Sequence, residues 1–517
     1  MHYTLLFSTG FQDFVALIPE LYLVSATIIL LVYGVALSTS RRYSYPVVVG
    51  SISWLAILSL GCTFLLLWNN PLKSAVVFSN ILVIDPLFTF LKELVILSTA
   101  AVILMSLDYF KQQRVHAFEY IILMLFATCS MLFMLSSFDF ISMYLAIEFQ
   151  SLCFYVLAAS RRTSEFSTEA GVKYFVLGAF SSGILLYGCS VIYGSTGMTN
   201  FFDLAMYTDT TWDLLRGHGY LPYPKAFLSV LLGMMFLAVG ILFKLTAAPF
   251  HMWAPDVYEG SPTPITAFFA LVPKIALMGL AINLFIGSCG PMFSLSLDPW
   301  RYLMQSCIFL SMTVGSFGAL VQTKIKRMLA YSSIGHVGFL LFAFFCADHA
   351  DVEALQVLLI YLVMYTVMTI GMFAVVLSLH HRTQSIKYID DLSMIGKTNP
   401  MLGLVMAVIL FSMAGIPPLG GFFAKYPLFL VGLQKGWYWL VVTGVLTSAV
   451  SCFYYIRLVK IMFFEQRKGW MYSQAVSKET SILVALVFFF LCFFCLFPEP
   501  LFVMTEQLIA HSVFRVR

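Results

Sequence analysis

Six ionisable side chains lie inside long apolar runs of this chain. They are Glu148 in MYLAIEFQSL, Lys173 in STEAGVKYFVL, Lys244 in GILFKLTAAPF, Lys274 in LVPKIALMGL, His336 in AYSSIGHVGF and Lys425 in GGFFAKYPLF. If such runs cross a bilayer, a charge at the centre of a helix costs about 2.5–3.5 kcal/mol, and the five Lys and Glu together cost about 12–18 kcal/mol. A cost of that size calls for a role. An ammonium taken out of water can be poised between its charged and neutral forms, and the distance to a carboxylate decides which form wins. Lysines in series, with a carboxylate whose distance changes, make a proton relay. Moving one charge against 100 mV takes about 2.3 kcal/mol, which one or two such switches can supply.

Each residue also has a plainer reading. Glu148 can be a helix-packing carboxylate. Lys173 lies near the end of its run and can snorkel to the interface. Lys244 precedes Pro249, where freed carbonyls and trapped water can solvate an ammonium. Lys274 is central in its run, too far from either end to snorkel easily. His336 fits a packing histidine as well as a relay member. Lys425 follows a second proline-containing break. Of lower rank, Lys92 and Glu93 can pair with each other, and Asp85 falls at an interface.

Other chemistries find no support in the sequence. There is no phosphate-binding glycine loop, dinucleotide motif or nucleophile elbow. His251 and His336 do not form a haem pair, and His380–His381 fall in a loop. Cys492 and Cys495 make a C-x-x-C, but in the apolar string LCFFCLF they read as small packing residues, and no metal-ligand spacing appears elsewhere. The net charge of +4, without a basic cluster among aromatics, gives no sign of nucleic acid. The opening MHYTLLFSTGFQDF has neither the basic start nor the cleavage site of a removable leader.

The elements that position these residues must be membrane helices. Hydrophobic residues make up 61% of the 517 and charged residues 10%, and mean hydropathy is +0.92. Apolar runs of about 20 residues, the length that crosses a ~30 Å core, recur throughout. They lack the alternation of a barrel strand, so the fold expected is an all-α polytopic bundle. Fourteen spans are predicted, from 15–36 to 481–504. Among them are 84–107 (span 3), 139–160 (span 5), 168–193 (span 6), 226–258 (span 7), 263–286 (span 8), 328–347 (span 10) and 401–430 (span 12). Residues 194–225 form the longest connection.

Orientation follows from Lys and Arg. Loops after odd-numbered spans carry Arg41, Arg42, Lys111, Arg114, Arg161, Arg162, Lys324, Lys326, Arg327, Arg382, Lys387, Lys397, Arg467, Lys468 and Lys478. Loops after even-numbered spans carry only Lys73, Arg216, Lys225, Arg301 and Lys435. Odd loops are therefore expected on the negative side and both termini on the positive side. Spans 7 and 12 are too long for straight crossings, at about 50 and 45 Å, and each holds a breaker: Pro249 in the first, Pro417–Pro418 in the second. Phe243-Lys-x-Thr-x-x-Pro249 matches Phe411-Ser-x-Ala-x-x-Pro417 at an offset of 168 residues. Paired interrupted segments point to internal repeats with a transport path between them.

Four long strings carry a resemblance. AIEFQSLCFYVLAASRRTSEFSTEAGVKYFVLGAFSSGILLYG, LFKLTAAPFHMWAPDVYEGSPTP, KRMLAYSSIGHVGF and AGIPPLGGFFAKYPLF resemble the antiporter-like membrane subunits of respiratory complex I (NADH:ubiquinone oxidoreductase), most of all the chain 2 branch of plant and algal mitochondria. The resemblance runs over essentially the whole chain. It implies fourteen helices, with inverted five-helix repeats at helices 4–8 (117–286) and 9–13 (302–463). These follow an N-terminal three-helix segment (1–116), precede a final helix (464–517), and contain discontinuous helices 7 and 12. By motif, Glu148, Lys173, Lys244, Lys274, His336 and Lys425 resemble the family's helix-5 glutamate, helix-6, helix-7 and helix-8 lysines, helix-10 polar residue and helix-12 lysine.

The resemblance implies proton transfer across the mitochondrial inner membrane, driven by quinone reduction elsewhere, with both termini on the intermembrane-space side. No cofactor is expected in this chain. FMN and iron–sulfur clusters would lie in other subunits, and ubiquinone would bind elsewhere. Expected partners are antiporter-like subunit 4, the small subunits 4L, 6 and 3, and lipids. A cation/proton antiporter component and a non-pumping scaffold remain the alternatives.

Overall fold

The computed structural model describes residues 13–38, 48–113, 117–161, 163–208, 225–288, 298–347, 352–381, 384–393, 395–465 and 476–512. Several charges that set the expected orientation (Arg41, Arg42, Arg114, Arg162, Arg216, Arg382, Arg467, Lys468) lie outside these residues. So do the chain start and residues 209–224 of the long connection.

Six helices come first: α1 (Ile18–Ser38), α2 (Val49–Trp68), α3 (Pro86–Gln112), α4 (Glu119–Ser136), α5 (Phe140–Ala158) and α6 (Glu165–Thr196). Then follow α7 (Lys225–Lys244), α8 (Trp253–Gly260), α9 (Thr263–Ala281, extended by a wider turn over Ile282–Ser288), α10 (Asp298–Leu320), α11 (Ile325–Cys346) and α12 (Val352–Ser378). The last are α13 (Pro400–Ala414), α14 (Gly420–Gln434), α15 (Tyr438–Phe464), α16 (Lys478–Phe493) and α17 (Glu499–Ala510). Among the described residues, twelve of these are long and apolar enough to cross a membrane: α1–α7, α9–α12 and α15. The two remaining expected spans are shorter than predicted for physical reasons. Span 12 is split into α13 and α14. Span 14 stops at Phe493 rather than 504, because Pro498 and Pro500 end one helix and start another, α17.

Local signals fix several boundaries. Asp139 caps α5 by accepting from the Ile141 N–H at 2.7 Å, and Thr199 of the long connection donates to the same carboxylate at 2.8 Å. Pro86 opens α3, where its missing N–H is no loss. A short hairpin (Ala75–Val77 with Leu82–Ile84), unforeseen from sequence, joins α2 to α3. His380–His381, expected in a loop, pair with Gln384–Ser385 as a two-residue strand.

Burial is graded. Every residue of α9 and its extension is buried, and α11 and α12 are nearly so. The outer helices α1, α2, α6 and α15 expose much of their apolar surface. A helix that is apolar all round needs either lipid or other helices around it. Lys274 and His336 therefore sit on the innermost elements, and Lys173 on a peripheral one.

Both predicted helix breaks occur. At the first, α7 ends at Lys244, Thr246 takes a left-handed φ of 67°, and the Ala247 N–H reaches back to the Leu242 carbonyl at 3.0 Å. At the second, α13 ends at Ala414, Gly415 takes a φ of 88°, and the Ile416 N–H reaches back to the Phe411 carbonyl at 3.1 Å. Both are the αL helix ending in which an N–H of the exiting chain satisfies a terminal carbonyl. The pairs Thr246/Gly415, Ala247/Ile416 and Leu242/Phe411 are each 169 residues apart. This corrects the offset of 168 read from the matching letters: Pro249 corresponds to Pro418, not Pro417, and Lys244 to Met413.

Candidate functional site

Lys274 stands on α9, the helix buried along its whole length, and is 1% exposed. Its ammonium donates to the Tyr365 hydroxyl of α12 at 3.0 Å and lies 5.2 Å from that ring's centre, a cation–π distance. Tyr365 passes the polarity on by donating to the Ala270 carbonyl at 3.0 Å. An ammonium has three donors, and the hydroxyl engages one of them. A buried charge in such a setting is costly unless partners or water complete its shell.

His336 of α11 stands next along the bundle. Its Nδ1 is 2.8 Å from the Tyr361 hydroxyl of α12, and its Nε2 is 3.4 Å from the Tyr455 hydroxyl of α15. Its ring centre is 5.4 Å from that of Tyr365. Tyr361 and Tyr365, four residues apart, project from the same face of α12, so one helix face brings Lys274 and His336 to neighbouring hydroxyls. Beyond His336, a cavity of about 10 Å³ is lined by Ser332, Thr447, Ser451, Tyr455 and Lys425. That is roughly the space one water needs, with these polar groups set among Met312, Phe339 and Met413.

Lys425 of α14 closes this end. Its ammonium donates to the Met413 and Ala414 carbonyls, both at 3.0 Å, and faces the Phe339 ring at 5.3 Å. These carbonyls lack intrahelical partners because α13 stops there. The expectation that freed carbonyls solvate Lys244 is thus corrected: that arrangement is found at Lys425. At the first break the Trp253 indole takes the role, donating to the Phe243 carbonyl at 3.0 Å. Lys244 donates instead to the Ser182 hydroxyl of α6 at 3.2 Å.

The Glu148 charge acts on Lys244, without an ion pair between them. One of its oxygens accepts from the Ser151 hydroxyl at 3.2 Å; the other is buried without a partner among the described residues. Tyr155 stands beside Ser151 and Ser182, so α5, α6 and α7 contribute to one polar cluster. An unpaired buried carboxylate oxygen is a place for a proton, a water or an incoming donor.

Lys173 is not in that cluster. It pairs with Glu169 one turn earlier at 2.7 Å and with Asp256 of α8 at 2.9 Å. Arg327 bridges Asp256 and Glu259 at 3.4 and 3.2 Å, and Lys324 pairs with Glu259. The second half of the first broken helix is thereby tied to the starts of α6 and α11.

Sequence reasoning missed several partners. Tyr361, Tyr365 and Tyr455 were hidden in runs counted as apolar, although a buried tyrosine hydroxyl needs a partner. Asp256 and Glu259 follow a proline-rich break and could have been matched to the nearby basic loop. Lys92 pairs not with Glu93 but with Glu20 of α1, at 2.6 Å, the two side chains being 2% and 1% exposed. Adjacent helix residues point about 100° apart and do not meet. Asp85, expected at an interface, stands at the N-cap of α3 and is buried there by the protein.

Comparisons with known proteins identify the family. The family model described as NADH:quinone oxidoreductase/Mrp antiporter, TM, matches residues 137–451, a window that holds all six candidate residues. The NADH-ubiquinone oxidoreductase chain 2 of Marchantia polymorpha is 51% identical over 96% of this chain and 98% of its own length. The NADH-quinone oxidoreductase subunit N of Paramagnetospirillum magneticum is 41% identical over 95% and 96%. A chain in the structure of respiratory complex I from Thermus thermophilus superposes with a TM-score of 0.75 at 26% identity, over 94% of this chain and 99% of that one. A chain of the Mrp complex from Dietzia sp. shares the fold alone, with a TM-score of 0.76 at 17% identity over 97% of each. The chain belongs to the NADH:quinone oxidoreductase/Mrp antiporter transmembrane family, on the branch that holds the chain 2 and subunit N proteins.

Proposed function

We propose that this chain is a proton-carrying membrane-arm subunit of the mitochondrial NADH:ubiquinone oxidoreductase. The observation that carries the reading is the string Lys274–Tyr365, His336–Tyr361/Tyr455 and Lys425, drawn from five helices and buried throughout. In this reading Lys274 gives a proton to the Tyr365 oxygen. The Tyr365 hydroxyl gives up its own proton as it takes that of Lys274, so it ends neutral and Lys274 ends as an amine, and a water carries the released proton to the His336 ring, which becomes imidazolium. From there the proton passes through the small cavity to Lys425 in its amine form, and the ammonium so formed is held by the carbonyls of the second break.

The Glu148–Lys244 pair acts as the switch. At an effective dielectric of about 20, two unit charges moving from ~8 to ~4 Å apart gain about 2 kcal/mol. This is comparable with the ~2.3 kcal/mol needed to move one charge against 100 mV. The unpaired Glu148 oxygen and the lone hydroxyl on Lys244 support a pair able to exchange partners. Lys173 stays in its surface ion network and transmits strain or charge from a neighbouring subunit through Asp256 to the broken helix.

The same reading places two repeats at 117–286 and 302–463, supported by the common 169-residue register of the breaks. It sets both termini on the intermembrane-space side of the inner membrane. FMN, iron–sulfur clusters and the ubiquinone site belong to other subunits, and subunits 4, 4L, 6 and 3 are the neighbours. The test is Lys244→Met in the assembled complex reconstituted into vesicles. Fewer protons moved per NADH oxidised is the expected outcome; an unchanged ratio at normal assembly refutes the assignment.

A further inference from the structure

Four cations that sequence reading used only to set orientation converge on one pocket. Arg161 lies between α5 and α6, Lys324 and Lys326 at the start of α11, and Lys387 after α12. All line a cavity of about 220 Å³, together with Tyr109, Ser261 and Tyr388. They come from three separate odd-numbered loops, so the fold, not the local sequence, gathers them.

The charge in this pocket is unbalanced. Its one acidic lining residue, Glu259, is engaged by Lys324 and Arg327. No carboxylate of a described residue pairs with Arg161, Lys326 or Lys387. Arg161 donates to the Gln113 side chain at 3.2 Å and stacks 5.4 Å from the Tyr109 ring centre. Among the described residues Lys326 donates only to the Ser261 carbonyl, at 2.7 Å; its charge is opposed by those of Arg161 and Lys387 and favoured by that of Glu259. Three helices start at the rim: Ser164, Pro262 and Lys324 precede α6, α9 and α11, and none caps its helix with its side chain. Helix starts add positive potential to the cationic side chains.

We propose that this pocket binds a phosphate-class anion, held by Arg161, Lys326 and Lys387: either the phosphodiester headgroup of an anionic lipid or inorganic phosphate. Arginine and lysine in a concave setting match phosphate oxygens, and basic pockets between transmembrane helices on the negative side suit anionic headgroups. The volume decides against a nucleotide, since pockets for drug-sized ligands begin near 300 Å³. The exposed Phe166 at the rim offers an apolar surface to the acyl chains of a lipid.

The test uses the purified, assembled complex after mild delipidation. Radiolabelled inorganic phosphate is titrated directly onto one portion. A second portion is incubated with vesicles of phosphatidylcholine containing cardiolipin and repurified, and its retained cardiolipin is counted by mass spectrometry. Saturable binding of one ligand is expected. The Arg161→Gln/Lys387→Gln double variant should weaken it about tenfold or more, and Lys387→Arg should restore most of it. A difference in phosphate alone assigns the free anion, and a difference in cardiolipin assigns the lipid. No saturable binding of either ligand to the wild-type complex overturns the proposal, whether or not the variants assemble. Binding equal in wild type and double variant also overturns it. So does a zero-length cross-link from Lys387 to a carboxylate of another subunit, because the pocket would then hold protein.

Discussion

Replacing Tyr365 by phenylalanine removes one oxygen from the middle of the buried string and leaves the ring in place. That oxygen accepts from the Lys274 ammonium and donates to the Ala270 carbonyl, each at 3.0 Å. The ring keeps its 5.2 Å approach to the ammonium and its packing, so the helices need not move. A hydrogen bond to a charged group contributes about 1.5–3 kcal/mol. If Tyr365 hands the proton on, losing this bond raises the barrier of that step by the same amount, which slows it about 10- to 150-fold. The assay is the assembled complex in sealed vesicles, with NADH oxidation and vesicle acidification followed together. We expect normal assembly and reduced proton movement per NADH. Tyr361→Phe, which leaves Lys274 its hydroxyl but removes the 2.8 Å partner of His336, should show a milder loss. Tyr365→Phe vesicles with wild-type turnover and wild-type acidification would refute the role of the hydroxyl.

Other outcomes test the frame that holds the string. Gly421→Ala would place a Cβ 1.8 Å from the Ser412 carbonyl oxygen, so the second break must rearrange; native gels should show little assembled complex. Glu20→Gln leaves the Lys92 ammonium buried without its carboxylate, a change that costs about 3–5 kcal/mol, and thermal unfolding should fall accordingly. The Glu20→Gln/Lys92→Met double variant should recover most of that loss, and failure to recover would show that the pair is not the cause.

How much of this was written in the sequence depends on whether the signal was local. Apolar runs of membrane-spanning length are local, so twelve long helices and a split thirteenth were legible. Prolines inside over-long runs are local too, so both breaks were found. The register between the breaks was not, because it is set by which residue turns left-handed, Thr246 or Gly415, and not by matching letters. The depth of Lys274 could be read from its distance to the span ends, whereas Lys425 could be placed only by the break before it. Their partners could not be read, since Tyr365 and the Met413 carbonyl come from other helices or from the far side of a break. Lys92 shows the same limit: its nearest acidic neighbour in sequence is Glu93, yet its partner in space is Glu20, 72 residues away.

The most direct test of the central claim is the number of protons moved per NADH oxidised by the complex carrying Lys274→Met. Lys274 is 1% exposed and central in a wholly buried helix. Methionine fills a similar volume without charge. A lower ratio than wild type, with the complex fully assembled, is the result the account predicts. A wild-type ratio at wild-type turnover would contradict it, and would reduce the lysine string to packing.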